Sequence, residues 1–187
     1  MLQKNCNYIV NNKNIKPQEA VNIPISLFES IQGKYFVGQT ETLSVGNNLN
    51  AWAGLVNPSN SNVNLYANVF TISNFSDNNL TAEIWLNTNN PKKWCVSHKT
   101  SPTNTALNPP PKNKVDIRFV ESTHELPHDG VNVYKRIVPP YTTLVGEEDG
   151  KFIEAPGGNY VLIIRSSVSE LSKVIVAFGW WEKLRCH

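Results

Sequence analysis

The chain has 187 residues, which suits a single domain, and only 17% of them are charged, against roughly a quarter in an average domain. The formal net charge is +2 without a basic run, which excludes a surface that follows nucleic-acid phosphates. No segment has the ~20 apolar residues of a membrane span or the apolar core of a signal peptide, so we expect synthesis in the cytoplasm, no export by the general route and no membrane insertion.

Residues 1–24 are predicted to form an extended arm, separate from a domain at residues 25–187. The arm is polar and rich in asparagine, and it contains a small apolar island at Tyr8, Ile9 and Val10, with Cys6 just before it. The domain begins at residues 25–28, where one short helical turn is expected before Gly33.

From residue 35 onward the chain alternates short β-rich runs with turn residues, a pattern typical of a sandwich or barrel. The 25 asparagines, 12 prolines and 10 glycines favour turns over helices. The pattern predicts an all-β, jelly-roll-like antiparallel β-sandwich of about eight or nine strands. The expected strands are residues 35–45, 51–56, 65–73, 80–87, 115–120, 131–138, 142–145 with 151–154, 160–165 and 173–181.

Residues 64–87 are predicted to form an antiparallel hairpin with its turn at residues 76–79, which are Ser, Asp, Asn and Asn. Leu80, Ala82, Ile84 and Leu86 alternate with the other positions of the second run, so they are expected to face the core and Trp85 to face outward. The runs at 160–164 and 174–178 are apolar on both sides and are predicted to be central strands.

Two short motifs contain residue types that bind metals. His124-Glu125-Leu126-Pro127-His128 has the H-E-x-x-H spacing of zinc proteases, which requires a helix, but Pro127 and the following Asp-Gly pair favour a loop. The run of three carboxylates at 147–149 before Gly150 is predicted to be a solvated hairpin turn, with weak calcium binding as the alternative. The sequence has no nucleophile elbow, P-loop or dinucleotide fingerprint, so we predict a protein that is not an enzyme and has no cofactor and no metal site.

Aromatic residues suggest a binding surface. Trp85 lies on the outer face of its strand, and Trp94 is expected to be partly exposed. Flat aromatic rings beside polar side chains form either a sugar-binding platform or a protein interface, where tryptophan is enriched. One of Trp180 and Trp181 must point into the core, and the other is expected to be partly exposed.

The three cysteines, Cys6, Cys95 and Cys186, are an odd number, so at least one thiol has no partner within the chain. Cys6 and Cys186 lie near the ends of the chain, from which they can reach a neighbouring molecule. Disulfides between subunits are one interpretation. Three reduced thiols are the other, since cytoplasmic synthesis favours reduced cysteines.

Six motifs between residues 35 and 181 resemble an uncharacterised family of small proteins from spore-forming Firmicutes. The motifs are Tyr35-Phe-Val-Gly-Gln-Thr40, Ala51-Trp-Ala-Gly-Leu-Val-Asn-Pro58, Val69-Phe-Thr-Ile-Ser-Asn-Phe75, Ala82-Glu-Ile-Trp-Leu-Asn87, Glu147-Glu-Asp-Gly-Lys-Phe152 and Ala177-Phe-Gly-Trp-Trp181. That family has no assigned activity, so the resemblance transfers no functional residues.

In plan, a cysteine-bearing arm ahead of a jelly roll is similar to the subunits of endospore appendage fibres. Those subunits polymerise by strand complementation, and their arm cysteines bond neighbouring subunits. The similarity implies that Cys6 and the island at residues 8–10 take the part of that arm. A departure from the pattern is that the arm here holds a single cysteine.

Together these observations predict a structural subunit that assembles with copies of itself into a fibre, lattice or crystalline layer. Its arm and sheet edges would make the contacts, with Cys6, Tyr8, Ile9, Val10 and Cys186 as inter-subunit residues. The resemblance favours the spore surface, or the medium after cell lysis, as the location, with other spore-surface proteins as further partners. The alternative is a lectin-like module that binds glycans through Trp85, Trp94 and the loops.

Overall fold

The computed structural model describes residues 21–185, which form one short helix and twelve strands. The elements are α1 Ile25–Ile31, β1 Tyr35–Gln39, β2 Leu43–Val45, β3 Asn50–Val56, β4 Val63–Asn74, β5 Leu80–Leu86, β6 Cys95–Val96, β7 Thr100–Pro102, β8 Asp116–Thr123, β9 Val131–Val138, β10 Thr143–Glu154, β11 Asn159–Ser166 and β12 Ser172–Leu184. The predicted helical turn before Gly33 is confirmed as α1. Residues 21–24 have no regular structure.

The strands form two antiparallel sheets. Sheet I has the order β10-β4-β12-β1-β7, with β2 also paired to β12, and sheet II has the order β6-β8-β3-β11-β5-β9. Eight of the strands have the arrangement of a jelly roll, in which two four-stranded antiparallel sheets face each other. In sheet I these strands are β1-β12-β4-β10, and in sheet II they are β3-β11-β5-β9. The predicted fold class is therefore confirmed.

The insertion between β5 and β9 contains three strands outside the jelly roll: the long strand β8 and the short strands β6 and β7. In it, β8 extends sheet II beyond β3, and β6 pairs with the outer edge of β8. In the same insertion β7 extends sheet I beyond β1. The sequence predicts no strand between residues 87 and 115, because strands of two and three residues are too short to show a period of two.

The core lies between the two sheets and includes residues from both of them. The run at 160–164 in β11 is buried on both faces, as predicted, because β11 lies between β3 and β5. Each fully buried large aliphatic side chain contributes roughly 1.5–3 kcal/mol. The predicted inner face of β5 is also confirmed: Leu80, Ala82 and Ile84 are buried and Leu86 is partly buried.

The predicted hairpin at residues 64–87 is wrong. Strand β4 pairs with β10 and β12 in sheet I, whereas β5 pairs with β11 and β9 in sheet II. The buried side chain of Asn74 holds the crossing between the sheets, because its amide donates to the carbonyl oxygens of Asn78 and Pro139 at 2.8 and 3.0 Å. Alternation of apolar residues shows that each strand buries one face, but not whether consecutive strands pair or face each other across a core.

Residues 143–154 form the single strand β10, where the sequence predicts two strands, at 142–145 and 151–154, around an acidic turn. Its register against β4 shifts between Glu147 and Phe152, so the acidic run forms a bulge. The backbone at Asp149 and Gly150 has positive φ, and Glu148 is buried. The carboxylate run is therefore only partly solvated. Residues 35–45, predicted as one strand, form β1 and β2.

Trp180 and Trp181 are both buried, which corrects the expectation that one is partly exposed. Trp180 belongs to the core between the sheets. Trp181 lies on the outer face of sheet I, where its ring stacks with Tyr66 and Tyr35 at centroid distances of 5.5 and 6.2 Å. The bulge of β10 covers the ring further, since a Cβ built on Gly150 would overlap Trp181.

Candidate functional site

One lateral side of the sandwich, the closed side, is sealed by the insertion. Ser97 lies between the two sheets: its N–H donates to Ile117 O in sheet II at 2.8 Å, and its hydroxyl donates to Gln39 O in sheet I at 2.6 Å. The N–H of Gln39 in turn donates to Lys99 O at 3.1 Å. The edge strands here, β6 and β7, have two and three residues, and such short edges offer little for another chain to pair with.

The opposite side, the open side, consists of β9 and β10. These strands have eight and twelve residues. Within residues 21–185, β9 pairs only with β5, and β10 pairs only with β4. Each strand therefore presents a free edge of main-chain N–H and C=O groups, which is a template for an added strand.

Apolar side chains are exposed along the open side. Val131 and Ile137 of β9 are exposed, as are Val145 and Ile153 of β10 and Tyr141 in the turn between the two strands. Long apolar edges of this kind are uncommon on a monomer, because they favour association.

The charges on β9 are matched by neighbours in the fold. Lys135 Nζ lies 2.9 Å from Glu83 Oε1, and the guanidinium of Arg136 stacks on Tyr134 at 4.6 Å. Burial of Glu83 raises the pKa of its carboxyl, but hydrogen bonds from Lys135 and Trp85 outweigh burial and leave the pKa below its usual range. Both cations of β9 therefore have partners within the fold, beside the exposed apolar residues of this side.

Two carboxyl groups of β10 point inward beside this edge. Burial raises the pKa of Glu148, whose Oε1 accepts a hydrogen bond from the Tyr160 hydroxyl at 3.3 Å. Burial also raises the pKa of Glu154 to about 7, against a smaller lowering by a hydrogen bond with Asn87. Burial therefore opposes ionisation of both carboxyl groups.

The two tryptophans predicted as a binding surface differ in their surroundings. Trp85 is partly buried against Val161 on the outer face of sheet II, and its indole N–H donates to Glu83 Oε2 at 3.2 Å. Trp94 is 40% exposed and carries the guanidinium of Arg118 on one face at 3.9 Å. Trp94 therefore offers the more accessible ring.

The predicted inter-subunit residues Cys6, Tyr8, Ile9, Val10 and Cys186 lie outside the described residues. Cys95 lies within them, in β6, with its side chain exposed. The prediction for these positions remains open to experiment.

Residues 87–94 form a strap that runs from the end of β5 to β6, at the far edge of sheet II. Its first part is fixed by the buried side chain of Asn159, which accepts from the N–H of Thr88 at 3.1 Å and donates to Thr88 O at 2.7 Å. Further along, Pro91 is buried, and Pro91 and Asn90 line a small cavity with Trp52. The strap therefore covers apolar residues that would otherwise face solvent.

The H-E-x-x-H motif holds this strap and forms a loop, as predicted. His124 Nδ1 is 3.2 Å from Asn48 O, whereas His128 Nε2 is 2.8 Å from the amide of Asn89, which also bonds Asp129. Glu125 Oε2 accepts from Lys92 N at 3.4 Å. In residues 21–185 no group of three or more potential metal ligands is brought together.

A polar cleft, the Arg118 cleft, opens where the strap meets two loops at one end of sheet II. Its volume is about 430 Å³. Arg118 Nε and Nη2 donate to Asp116 Oδ2 at 3.3 and 3.0 Å. The residues that line the cleft are Val56, Asn57, Pro58, Ser59, Asn60, Asn90, Arg118 and Gly157. Arg118 is not among the predicted site residues, although Val115, Ile117 and Phe119 alternate with Asp116 and Arg118, a pattern that places Arg118 on the outer face of its strand.

A larger groove of about 610 Å³ lies on sheet I, lined by residues of β1, β4, β7 and β12. Val37, Val69 and Ala177 make it mainly apolar. Gly179 is required there, since a Cβ would lie 2.5 Å from the Tyr35 hydroxyl. Lys99 is the one charged residue among its lining residues in the described chain.

Comparison with models of protein families gives a match over most of the chain. The model of a family of unknown function, DUF6143, matches residues 6–187. No curated protein and no solved structure matches the chain. In the described range, no helix has the length and apolar character needed to span a membrane.

Proposed function

The chain belongs to DUF6143, a family of unknown function, and from its geometry we propose that the protein is a structural subunit that assembles with copies of itself. Contacts form at the open side, where an extended segment of a neighbouring subunit adds to β9 or β10 by main-chain hydrogen bonds. A head-to-tail contact of this kind propagates into a fibre or layer when its rotation does not close a ring.

The observation that carries the proposal is the difference between the two lateral sides. On the closed side the insertion covers the edges of β1 and β3 with further strands and with Ser97, which is hydrogen-bonded to both sheets. The open side has twenty residues of strand with no partner on one edge in the described chain. A fold that protects one side and exposes apolar residues on the other supports a contact function for the exposed side.

Residues 1–20 supply a suitable donor segment by their composition. The island at Tyr8, Ile9 and Val10 consists of residue types that favour strands. A segment with this composition offers apolar side chains to Ile137 and Val145, and main-chain groups to the free edge of the acceptor.

The first experiment tests the open side by two substitutions, Ile137→Lys and Val145→Lys, made together. Burying two added ammonium groups in the contact should raise the concentration needed for assembly by more than roughly tenfold. Light scattering coupled to size exclusion, with negative-stain microscopy, measures the change. The variant is expected to elute as a 21.0 kDa monomer.

Leu184→Lys with Leu171→Lys is the matched control. These leucines are 67% and 58% exposed, against 68% and 54% for Ile137 and Val145, but they lie in and near β12, away from the open side. The control is expected to assemble as the unaltered chain does. Assembly that survives the open-side substitutions would contradict the proposal.

Donation by the arm is tested by removing residues 1–20, which leaves residues 21–24 of the arm and the bond from Phe28 N to Pro24 O in place. The shortened chain is expected to stay folded and monomeric, because the two-sheet core lies within residues 21–185. Assemblies that persist without the arm would refute donation by the arm while leaving edge-to-edge contact as the mechanism.

Location and covalent locking are further parts of the proposal. The resemblance described above favours the spore surface, and disulfides through Cys6 or Cys186 would make assemblies resistant to heat and detergent. Such assemblies are expected to dissolve on addition of a reductant, which electrophoresis with and without dithiothreitol measures.

A further inference from the structure

We propose that the Arg118 cleft binds a carboxylate-bearing saccharide, an activity separate from assembly. Three segments converge there: the β3–β4 loop provides Ser59 and Asn60, the β10–β11 turn provides Gly157, and the strap provides Asn90. Loops that meet at the end of a rigid sandwich are common positions for binding sites. The volume of about 430 Å³ lies in the usual range for small-molecule sites.

Arg118 is held in place before any ligand arrives. Only 15% of its side chain is exposed, and its guanidinium is fixed between the ring of Trp94 and Asp116 Oδ2. Both bonds to Asp116 come from Nε and Nη2. Within residues 21–185, Nη1 has no acceptor, so the end of the guanidinium formed by Nη1 and Nη2 is available to a second carboxylate. A preorganised fork of this kind binds carboxylates in a bidentate manner.

The rest of the lining defines the remainder of the ligand. Among the lining residues in the described chain, Arg118 is the single charged group. The side chains of Ser59, Asn60 and Asn90 are exposed or partly exposed and offer hydroxyl and amide groups. A ligand with one negative charge and several hydroxyls satisfies such a surface, and an acidic sugar has this composition.

A saccharide fits the site better than an acidic peptide does. The polar walls offer hydrogen bonds but little apolar surface for amino-acid side chains, since Val56 is 4% exposed. The ring of Trp94 lies outside the lining of the cleft and supports the Arg118 guanidinium from one face at 3.9 Å. Lys92 and Lys93, exposed in the strap, favour the approach of an anion.

Equilibrium dialysis with labelled glucuronate tests the proposal in a way that does not depend on assembly. The unaltered chain is expected to bind one glucuronate per chain in a saturable manner and to bind glucose at least tenfold more weakly. Arg118→Gln is expected to weaken glucuronate binding at least tenfold. Arg165→Gln, which removes an arginine paired with Glu83 on the same sheet, is the matched control and should leave binding unchanged.

Ser59→Trp keeps the test valid if Arg118→Gln disturbs folding. This substitution leaves the bonds between Arg118 and Asp116 in place and fills the cleft, so it is expected to abolish binding. Equal glucuronate binding by the Arg118→Gln, Ser59→Trp and unaltered chains would overturn the proposal. Absence of saturable binding to the unaltered chain, or tighter binding of an acetylated glutamate dipeptide, would overturn it as well.

Discussion

At the scale of single residues, Glu154 connects burial to solution behaviour. Its side chain lies on the inner face of the edge strand β10, and burial raises its pKa to about 7 from 4.5. The folded chain therefore holds this proton more tightly than the unfolded chain does. The stabilisation from the protonated carboxyl is complete below about pH 4.5 and is lost as pH rises through about 7.

Glu154→Gln should remove the loss of stability that the unaltered chain shows as pH rises through about 7. At pH 8 the variant is expected to be more stable than the unaltered chain by on the order of 2 kcal/mol, a value reduced from the full shift for partial solvent screening. At pH 4.5 the two should be nearly equal. Urea unfolding of the chain lacking residues 1–20 measures both values, with Glu121→Gln, an exposed position, as the control. If the free energy of unfolding depends on pH in the same way for Glu154→Gln and the unaltered chain, the raised pKa does not belong to Glu154.

At the scale of elements, the bulge of β10 explains why an outward-facing tryptophan is buried. Gly150 has φ +71°, and a Cβ there would overlap Trp181. Gly157, in the turn after β10, has φ +93° with open space around it. A substitution at Gly157 therefore introduces backbone strain alone, whereas a substitution at Gly150 introduces backbone strain together with steric overlap with Trp181.

Alanine substitutions at both positions use this difference. Gly157→Ala is expected to cost about 1–2 kcal/mol from backbone strain alone. Gly150→Ala should cost roughly 1–3 kcal/mol more, because the added methyl group pushes the ring of Trp181 from its stack. Denaturant unfolding gives the two free energies of unfolding. Equal costs would show that the bulge does not cover the ring.

At the scale of the whole molecule, the core joins the sheets into one unit. Phe70 and Trp180 of sheet I belong to the same cluster as Leu55 and Ile84 of sheet II. The chain without residues 1–20 is therefore expected to unfold in a single transition. Far-ultraviolet and near-ultraviolet circular dichroism should give the same urea midpoint, and two separate midpoints would indicate sheets that unfold independently.

The fold class follows from sequence patterns more directly than the pairing does. Alternation at Leu80, Ala82 and Ile84 identifies a strand and its inner face, since burial on one side imposes the period. The partner of that strand depends on Asn74, whose bonds reach Pro139, far along the chain. Such long-range contacts leave no local signal.

The candidate sites also depend on contacts between residues that are far apart in the sequence. Free edges at β9 and β10 can be recognised only when the strand order is known. The Arg118 cleft unites residues of a loop, a turn and the strap that are far apart in sequence. Local indications of this region were the expected exposure of Trp94, which charged and amide residues surround in the chain, and the polar positions of Asp116 and Arg118 in an alternating strand.

The closed side determines how many neighbours a subunit can have through its sheet edges. If two open sides met around a twofold axis, each would occupy the other, and growth would stop at a pair. If an arm is donated instead, the donor keeps its own open side vacant, so the growing end remains receptive and the assembly acquires direction. A synthetic peptide with the arm sequence would then act as a chain terminator, and its molar ratio to the protein would set the mean length of the assemblies.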